Sequence, residues 1–331
     1  MDGLEEYLQA IEGAGVKGII VADPLIIEAC KKAAPKLEIH LSTQQSLSNW
    51  KAVKYWKDEG LERVVLAREV GGEEMRKMKE EVDIEIEAFV HGAMCIAYSG
   101  RCTLSNHMTA RDSNRGGCCQ SCRWDYDLYE EKDGEEVALF NEVDAPFAMS
   151  PKDLKLIESI PHMIELGIDS LKVEGRMKSI HYVATVMSVY RKVIDAYCAD
   201  PENFEIKKEW LEELSRCANR DTDSSFFEGE PSYKQQMFGT HSHKLEWDFA
   251  GFVMDYDAET QMVTMEQRNH FKPGNTVEFF GPNLETFKMT VGQIWDKDGA
   301  ELDVARHPLQ IIKFKVDRPL SKFDMMRKET K

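Results

Sequence analysis

Apolar strand-like runs begin near residues 18, 38, 63 and 84, a repeat of 20–25 residues with a helical pattern in each interval. Gly18-Ile-Ile-Val-Ala22, Ile39-His-Leu-Ser42, Arg63-Val-Val-Leu-Ala67 and Ile84-Glu-Ile-Glu-Ala-Phe-Val90 are these runs. A helix between each pair leaves the next strand pointing the same way, so the repeat demands parallel pairing with right-handed crossovers. Leu4, Tyr7, Leu8 and Ile11 share one helix face before the first strand. Pro24 opens a helix that Pro35 stops, and further helices are expected over 45–58 and 73–81. A fifth strand, Ser170-Leu-Lys-Val173, precedes the clearest helix in the chain, where Val183, Val186, Met187, Tyr190, Val193, Ile194 and Tyr197 form an apolar stripe.

Five strand–helix units are thus legible where a closed (β/α)8 TIM-type barrel has eight. An open five-stranded sheet and an incomplete barrel both satisfy the pattern. No glycine-rich phosphate loop supports a dinucleotide-binding sheet. Between the fourth and fifth strands, Glu130-Glu-Lys-Asp-Gly-Glu-Glu136 reads as an acidic loop, and Ser150-Pro-Lys-Asp153 as a helix start. From Trp247 the texture changes to short alternating strands divided by Asp-, Gly- and Pro-bearing turns, as in a small all-β barrel. The expected organisation is an α/β domain over 1–218 with a Cys-rich insertion at 91–150, a polar linker over 219–246, and a β-domain over 247–331.

Five of the eight cysteines lie between Cys95 and Cys122. The N-terminus carries no signal-peptide pattern and no run is apolar enough for a membrane helix, so a cytoplasmic, reducing setting is expected. There, clustered thiols read as metal-binding or catalytic rather than as disulfides. Cys95-x6-Cys102 is wide for a zinc loop, and Cys118-x3-Cys122 follows after fifteen residues. Iron–sulfur clusters accept more varied spacings, and zinc stays as the alternative. Cys30, Cys198 and Cys217 stand singly in helical patterns and read as structural. The net charge of −17 excludes a surface that is basic everywhere, but residues 95–124 hold Arg101, Arg111, Arg115 and Arg123 against Asp112, a local 4 − 1 = +3.

Longer motifs carry a resemblance. Glu87-Ala-Phe-Val-His-Gly-Ala-Met-Cys95, Ser99-Gly-Arg-Cys102-x-Leu-Ser105 and Asn114-Arg-Gly-x-Cys118-x3-Cys122-Arg-Trp124 resemble the signature of the collagenase-like peptidase family U-32. His40-Leu-Ser-Thr-Gln44, Leu66-Ala-Arg68-Glu69, Ser150-Pro-Lys-Asp-Leu154, Lys172-Val-Glu-Gly-Arg176-x-Lys178-Ser179 and the β-domain extend the likeness over essentially the whole chain. The chain departs from the family in two ways. It lacks the leading barrel strands, so it looks N-terminally truncated with strands four to eight retained, and it has the extra Cys119.

The branch with a C-terminal β-domain resembles proteins that make 5-hydroxyuridine at the tRNA wobble position using prephenate. The resemblance therefore implies an iron–sulfur RNA-modifying enzyme with Cys95, Cys102, Cys118 and Cys122 around a 4Fe-4S cluster. tRNA and a small dicarboxylate are the implied partners, with a partner chain or upstream segment completing the barrel. Glu87, His91, Glu174 and Arg176 fall at strand ends where such barrels place catalytic groups. His40, Ser42, Gln44, Arg68, Lys172 and Lys178 are the expected substrate-binding set, since arginine and lysine suit a carboxylate or an RNA phosphate. The alternatives are a peptidase, as the family name says, and a non-catalytic form with a structural metal. No His-Glu-x-x-His helix or Gly-x-Ser-x-Gly elbow supports the peptidase.

Overall fold

The computed structural model describes residues 2–124, 126, 129–132, 134–138, 149–237 and 243–330. Residues 139–148 of the Cys-rich insertion and 238–242 of the expected linker lie outside the described residues. The chain divides into two compact units, 1–177 with 193–204 and 220–243, and 178–192 with 205–219 and 244–331.

In the first unit, α1 (Leu4–Gly13) precedes the strands β1 (Gly18–Val21), β2 (Glu38–Leu41), β3 (Arg63–Val65) and β4 (Glu85–Gly92). The helices α2 (Pro24–Ala33), α3 (Trp50–Asp58) and α4 (Gly72–Glu81) join them in alternation. All four strands pair in parallel in chain order. Asp23 accepts from the Leu25 N–H and Asn49 from the Ala52 N–H, so each helix starts where a side chain takes an otherwise unpaired donor. Residues 43–45 form a separate 3-10 turn rather than the start of α3, because Ser46 takes a left-handed backbone that ends it.

After α5 (Leu104–Thr109), a hairpin of β5 (Tyr129–Lys132) and β6 (Glu135–Ala138) replaces the expected acidic loop. β7 (Asp153–Lys155) replaces the expected helix start at Ser150: the Asp153 carboxylate binds two arginines instead of sitting in the first turn of a helix. Next come α6 (Ile160–Glu165) and β8 (Ser170–Glu174), which pairs in parallel with β4. The five parallel strands therefore run β1-β2-β3-β4-β8, and no ladder closes them into a barrel among the described residues. β7 pairs antiparallel with the end of β4, and β9 (Thr222–Asp223) lies beside β7. The stretch read as a linker thus supplies a strand and the buried Arg220 to this unit. β4 is buried on both faces, as a central parallel strand must be, and Ile86, Ala88 and Val90 join Leu41, Val64 and Val65 in the core.

The second unit includes the first part of α7 (Ile180–Ala199), α8 (Lys208–Cys217) and eight antiparallel strands. Its core gathers Val253, Val263, Met265, Phe271, Phe279, Ile312, Phe314 and Met326. No ladder joins the first and last strands of this sheet among the described residues, so the structure shows an all-β sheet where a barrel was expected. Arg327 is fully buried, yet its guanidinium meets Glu213 of α8 at 2.6 and 2.8 Å and Glu278 at 2.6 Å.

Candidate functional site

Parallel strands leave their carboxyl ends on one side of the sheet, and the loops that follow them converge there. A cavity of about 260 Å³ lies at these ends. Ser42 and Gln44 follow β2, Arg68 follows β3, Phe89 lies on β4, Lys172 lies on β8 and Glu174 ends it. Arg176 and the four thiols of Cys95, Cys102, Cys118 and Cys122 complete the wall.

The pairing of β4 with β8 decides which side chains face this cavity. Glu87 lies beside Ser170 and Phe89 beside Lys172, but the register then shifts and His91 pairs with Val173. The extra residue Val90 is a bulge, and it turns His91 to the other face. Gly92 comes level with Glu174, where a Cβ would meet the Glu174 carbonyl oxygen at 2.2 Å, so only glycine fits. His91 is buried outside the cavity wall. Glu87 is also set back from it, accepting from Lys172 Nζ and Ser170 Oγ at 2.8 Å each. Burial opposes ionisation of Glu87, but these two bonds, with Arg63 nearby, hold its carboxyl below the usual range.

The Arg68 guanidinium lies over Phe89, its central carbon 3.9 Å from the ring centre, with Nη2 3.4 Å from Glu174 Oε2. Its Nε is buried and has no hydrogen-bond partner. Arg176 is committed elsewhere: its two terminal nitrogens donate to the carbonyls of Gly116 and Cys118, the latter at 2.6 Å. Gln44 Nε2 donates to the Ser113 carbonyl at 3.3 Å, and Ser113 and Asn114 side chains both donate to the Cys102 carbonyl. These bonds lash the cysteine-bearing loops to the strand ends.

The four thiols feel one another. Burial pushes Cys122 up to about 11, partly opposed by Arg123, with Cys95, Cys118 and Cys102 adding to the rise. Cys95 keeps open surface, yet the protein atoms around it push its thiol up against the pull of Arg68. Four soft donors on one cavity wall are a set that a cationic group among them would stabilise as thiolates. Among the described residues no three His, Cys, Asp or Glu side chains are grouped as a single metal ion would need. Cys119 belongs to a different environment: bonds from Ser105, Thr109 and Ser121 outweigh its burial and lower its thiol to about 7.

Of the residues expected in the site, the structure brings together the four cysteines, Ser42, Gln44, Arg68, Lys172, Glu174 and Arg176. His40 stays outside, its Nε2 3.2 Å from Glu38 Oε2. Lys178 falls in the second unit, with its ammonium 4.7 Å from the Tyr182 ring centre. Sequence reasoning missed the clasp beneath Cys122, where Arg123 Nη2 and Arg220 Nε donate to one oxygen of Asp153 at 2.7 and 3.1 Å. The Ser150-Pro-Lys-Asp153 motif was its visible half, misread as a helix cap.

The model of the Peptidase family U32 matches residues 1–237, and that of its C-terminal domain matches residues 245–327. The chain is 72% identical to "tRNA hydroxylation protein P1" of Bacillus subtilis over 328 residues, covering 99% of this chain and 78% of that protein. It is 32% identical to "tRNA hydroxylation protein P" of Haemophilus influenzae, covering 83% and 69%. "Collagenase" of Porphyromonas gingivalis is 33% identical, covering 73% and 58%. No helix among the described residues is long and apolar enough to cross a membrane.

Proposed function

The chain belongs to peptidase family U32, and from that premise we propose that it is an enzyme of tRNA hydroxylation. The observation that carries the reading is the meeting of four thiols with Arg68, Lys172 and Glu174 on one cavity at the strand ends. Relatives named for tRNA hydroxylation support the substrate class. The five parallel strands in chain order suit consecutive strands of a (β/α)8 barrel, and β1, with one ladder partner and Ile20 52% exposed, is the edge where a further segment or partner chain would pair. A cytoplasmic setting fits free thiols at the site.

In the finer reading, Cys95, Cys102, Cys118 and Cys122 hold a 4Fe-4S cluster, which when bound supplies one-electron redox chemistry. Prephenate is the cosubstrate and C5 of the wobble uridine the target. Arg68 is the carboxylate grip: its guanidinium lies over Phe89, Glu174 takes one nitrogen, and the residue lines the cavity where an anion would bind. Lys172, anchored by Glu87, adds a second positive charge. Glu174, whose Oε2 lies 3.4 Å from Arg68 Nη2, is the carboxylate at the wall that can hold or give up a proton.

The peptidase reading has less to stand on. Among the described residues no histidine lines the cavity to serve as base for a thiol nucleophile. Nucleoside analysis of tRNA from cells lacking the gene tests the proposal. Wild-type protein should restore 5-hydroxyuridine, and Arg68→Ala should not while keeping its iron. A wild-type chain that restores nothing would sink the reading.

A further inference from the structure

We propose that Tyr98, on the segment that also carries the exposed Arg101 and Arg115, is a docking surface for single-stranded RNA at the rim of the cavity, with the Tyr98 ring stacking on an unpaired base. The inference rests on the RNA reading above and adds to it a surface that no cavity chemistry requires.

Tyr98 lines the cavity and yet is 72% exposed, the highest value among the large apolar and aromatic side chains described. A ring this exposed usually sits on a loose loop, but this one does not. Its neighbour Ser99 is 1% exposed, and its N–H donates to Glu69 Oε1 at 2.8 Å. The Ser99 hydroxyl also donates to Glu69 and accepts from the Arg68 N–H at 3.1 Å, while the Ser99 carbonyl accepts from Ser46 Oγ. Gly100 has φ +74 and lies so close to Gln44 that a Cβ would stand 1.9 Å from its carbonyl oxygen. The Arg101 N–H closes the turn onto the Tyr98 carbonyl at 3.0 Å. The backbone is fixed on the C-terminal side of Tyr98 by the same bonds that build the cavity, so the ring is presented from a rigid mount.

A preorganised aromatic with only two side-chain torsions loses little entropy when something flat lands on it. The chemistry around it selects the class of partner. Arg101 lies between the lining residues Gly100 and Cys102, and Arg115 between Asn114 and Gly116, yet both are exposed rather than part of the wall. Arg115 is 88% exposed, with Asp112 its nearest acid at 3.6 Å. Exposed arginines on the same segment as an exposed ring, a segment carrying +3 on a chain of −17, complement phosphate and base together. Unpaired bases are the ones free to stack, which favours a loop over a duplex.

The test is binding of an RNA hairpin and of its fully paired counterpart to the full chain, across a salt series. Tyr98→Ala should weaken hairpin binding by about tenfold and leave duplex binding unchanged, the size expected for one stacked base. Tyr98→Trp should keep the affinity, and its fluorescence should be quenched by the hairpin. Arg115→Ala should weaken binding and lower the salt dependence by roughly one phosphate contact. Hairpin affinity equal in wild type and Tyr98→Ala, or an unquenched tryptophan, overturns the stacking surface and leaves tRNA hydroxylation standing. Self-association abolished by Tyr98→Ala, with hairpin affinity unchanged, overturns it in favour of a second copy on this face. A wild type that restores 5-hydroxyuridine in cells but shows no preference for the hairpin overturns only this surface. A wild type that does neither removes the functional reading as well.

Discussion

Lys172 Nζ donates to Glu87 Oε1 at 2.8 Å, so the residue with the stronger catalytic look in the sequence is the anchor of the one that reaches the cavity. Glu87 is buried, on the central strand, and its charge is matched where it sits. Its carboxyl titrates below the usual 4.5, so this pair contributes stability that is present above that pH and lost as pH falls through the lower folded value. Glu87→Gln should cost about 1–3 kcal/mol at neutral pH and flatten the loss of stability below pH 4.5. Urea midpoints of both proteins across that range measure it, and parallel curves would show that the pair is not coupled to folding.

Arg176 leads to a different expectation from the one its motif suggests. Since its guanidinium holds the carbonyls of Gly116 and Cys118, Arg176→Ala should loosen the cysteine loop and lower iron retention along with modification. A loss of roughly tenfold to a hundredfold is the usual cost of removing such a support. Arg176→Lys, which can bridge only one carbonyl well, should fall between. Iron per chain after dialysis decides this, and full iron with no modification would return Arg176 to anion binding.

The adjacent pair Cys118 and Cys119 should separate cleanly. Cys118 lines the cavity, whereas Cys119 bonds Ser105 and Thr109. Iron and acid-labile sulfide, measured on protein purified without air, should be lost in Cys118→Ser and kept in Cys119→Ser. The reverse result would exchange their assignments.

His181 of the second unit is a pH-sensitive weak point. It stacks on Phe249, Nε2 is buried without a partner, and burial, helped by Arg327, lowers its pKa from 6.5 to about 4. The folded chain thus keeps it neutral where the unfolded chain charges it. Its stabilising contribution is full above pH 6.5 and falls away as pH drops towards about 4, by about 3 kcal/mol in all. His181→Phe should remove that fall, which thermal unfolding at a series of pH values would report.

How far the sequence reaches can be read from particular residues. The strand–helix alternation and the extents of α2 and α4 follow from local periodicity, which depends on neighbours in the chain and was legible, as was most of the α7 stripe, although Met187 is exposed. So was the gathering of Cys95, Cys102, Cys118 and Cys122, because their spacing and flanking motifs are written contiguously. Ser150-Pro-Lys-Asp153 has every local mark of a helix cap, yet Arg123 and Arg220 claim the carboxylate from 30 and 67 residues away. A charge pair between distant residues outweighs one capping bond, and nothing local announces it.

His91 makes the same point about direction. The sequence by itself determined that Glu87, Phe89 and His91 alternate on one strand, with cysteines just beyond its end. Only the tertiary structure decided that Val90 bulges against β8, turning His91 away from the cavity and leaving Phe89 beneath Arg68. Which face a side chain takes is set by register with a strand some eighty residues distant, and register is a property of two segments brought together.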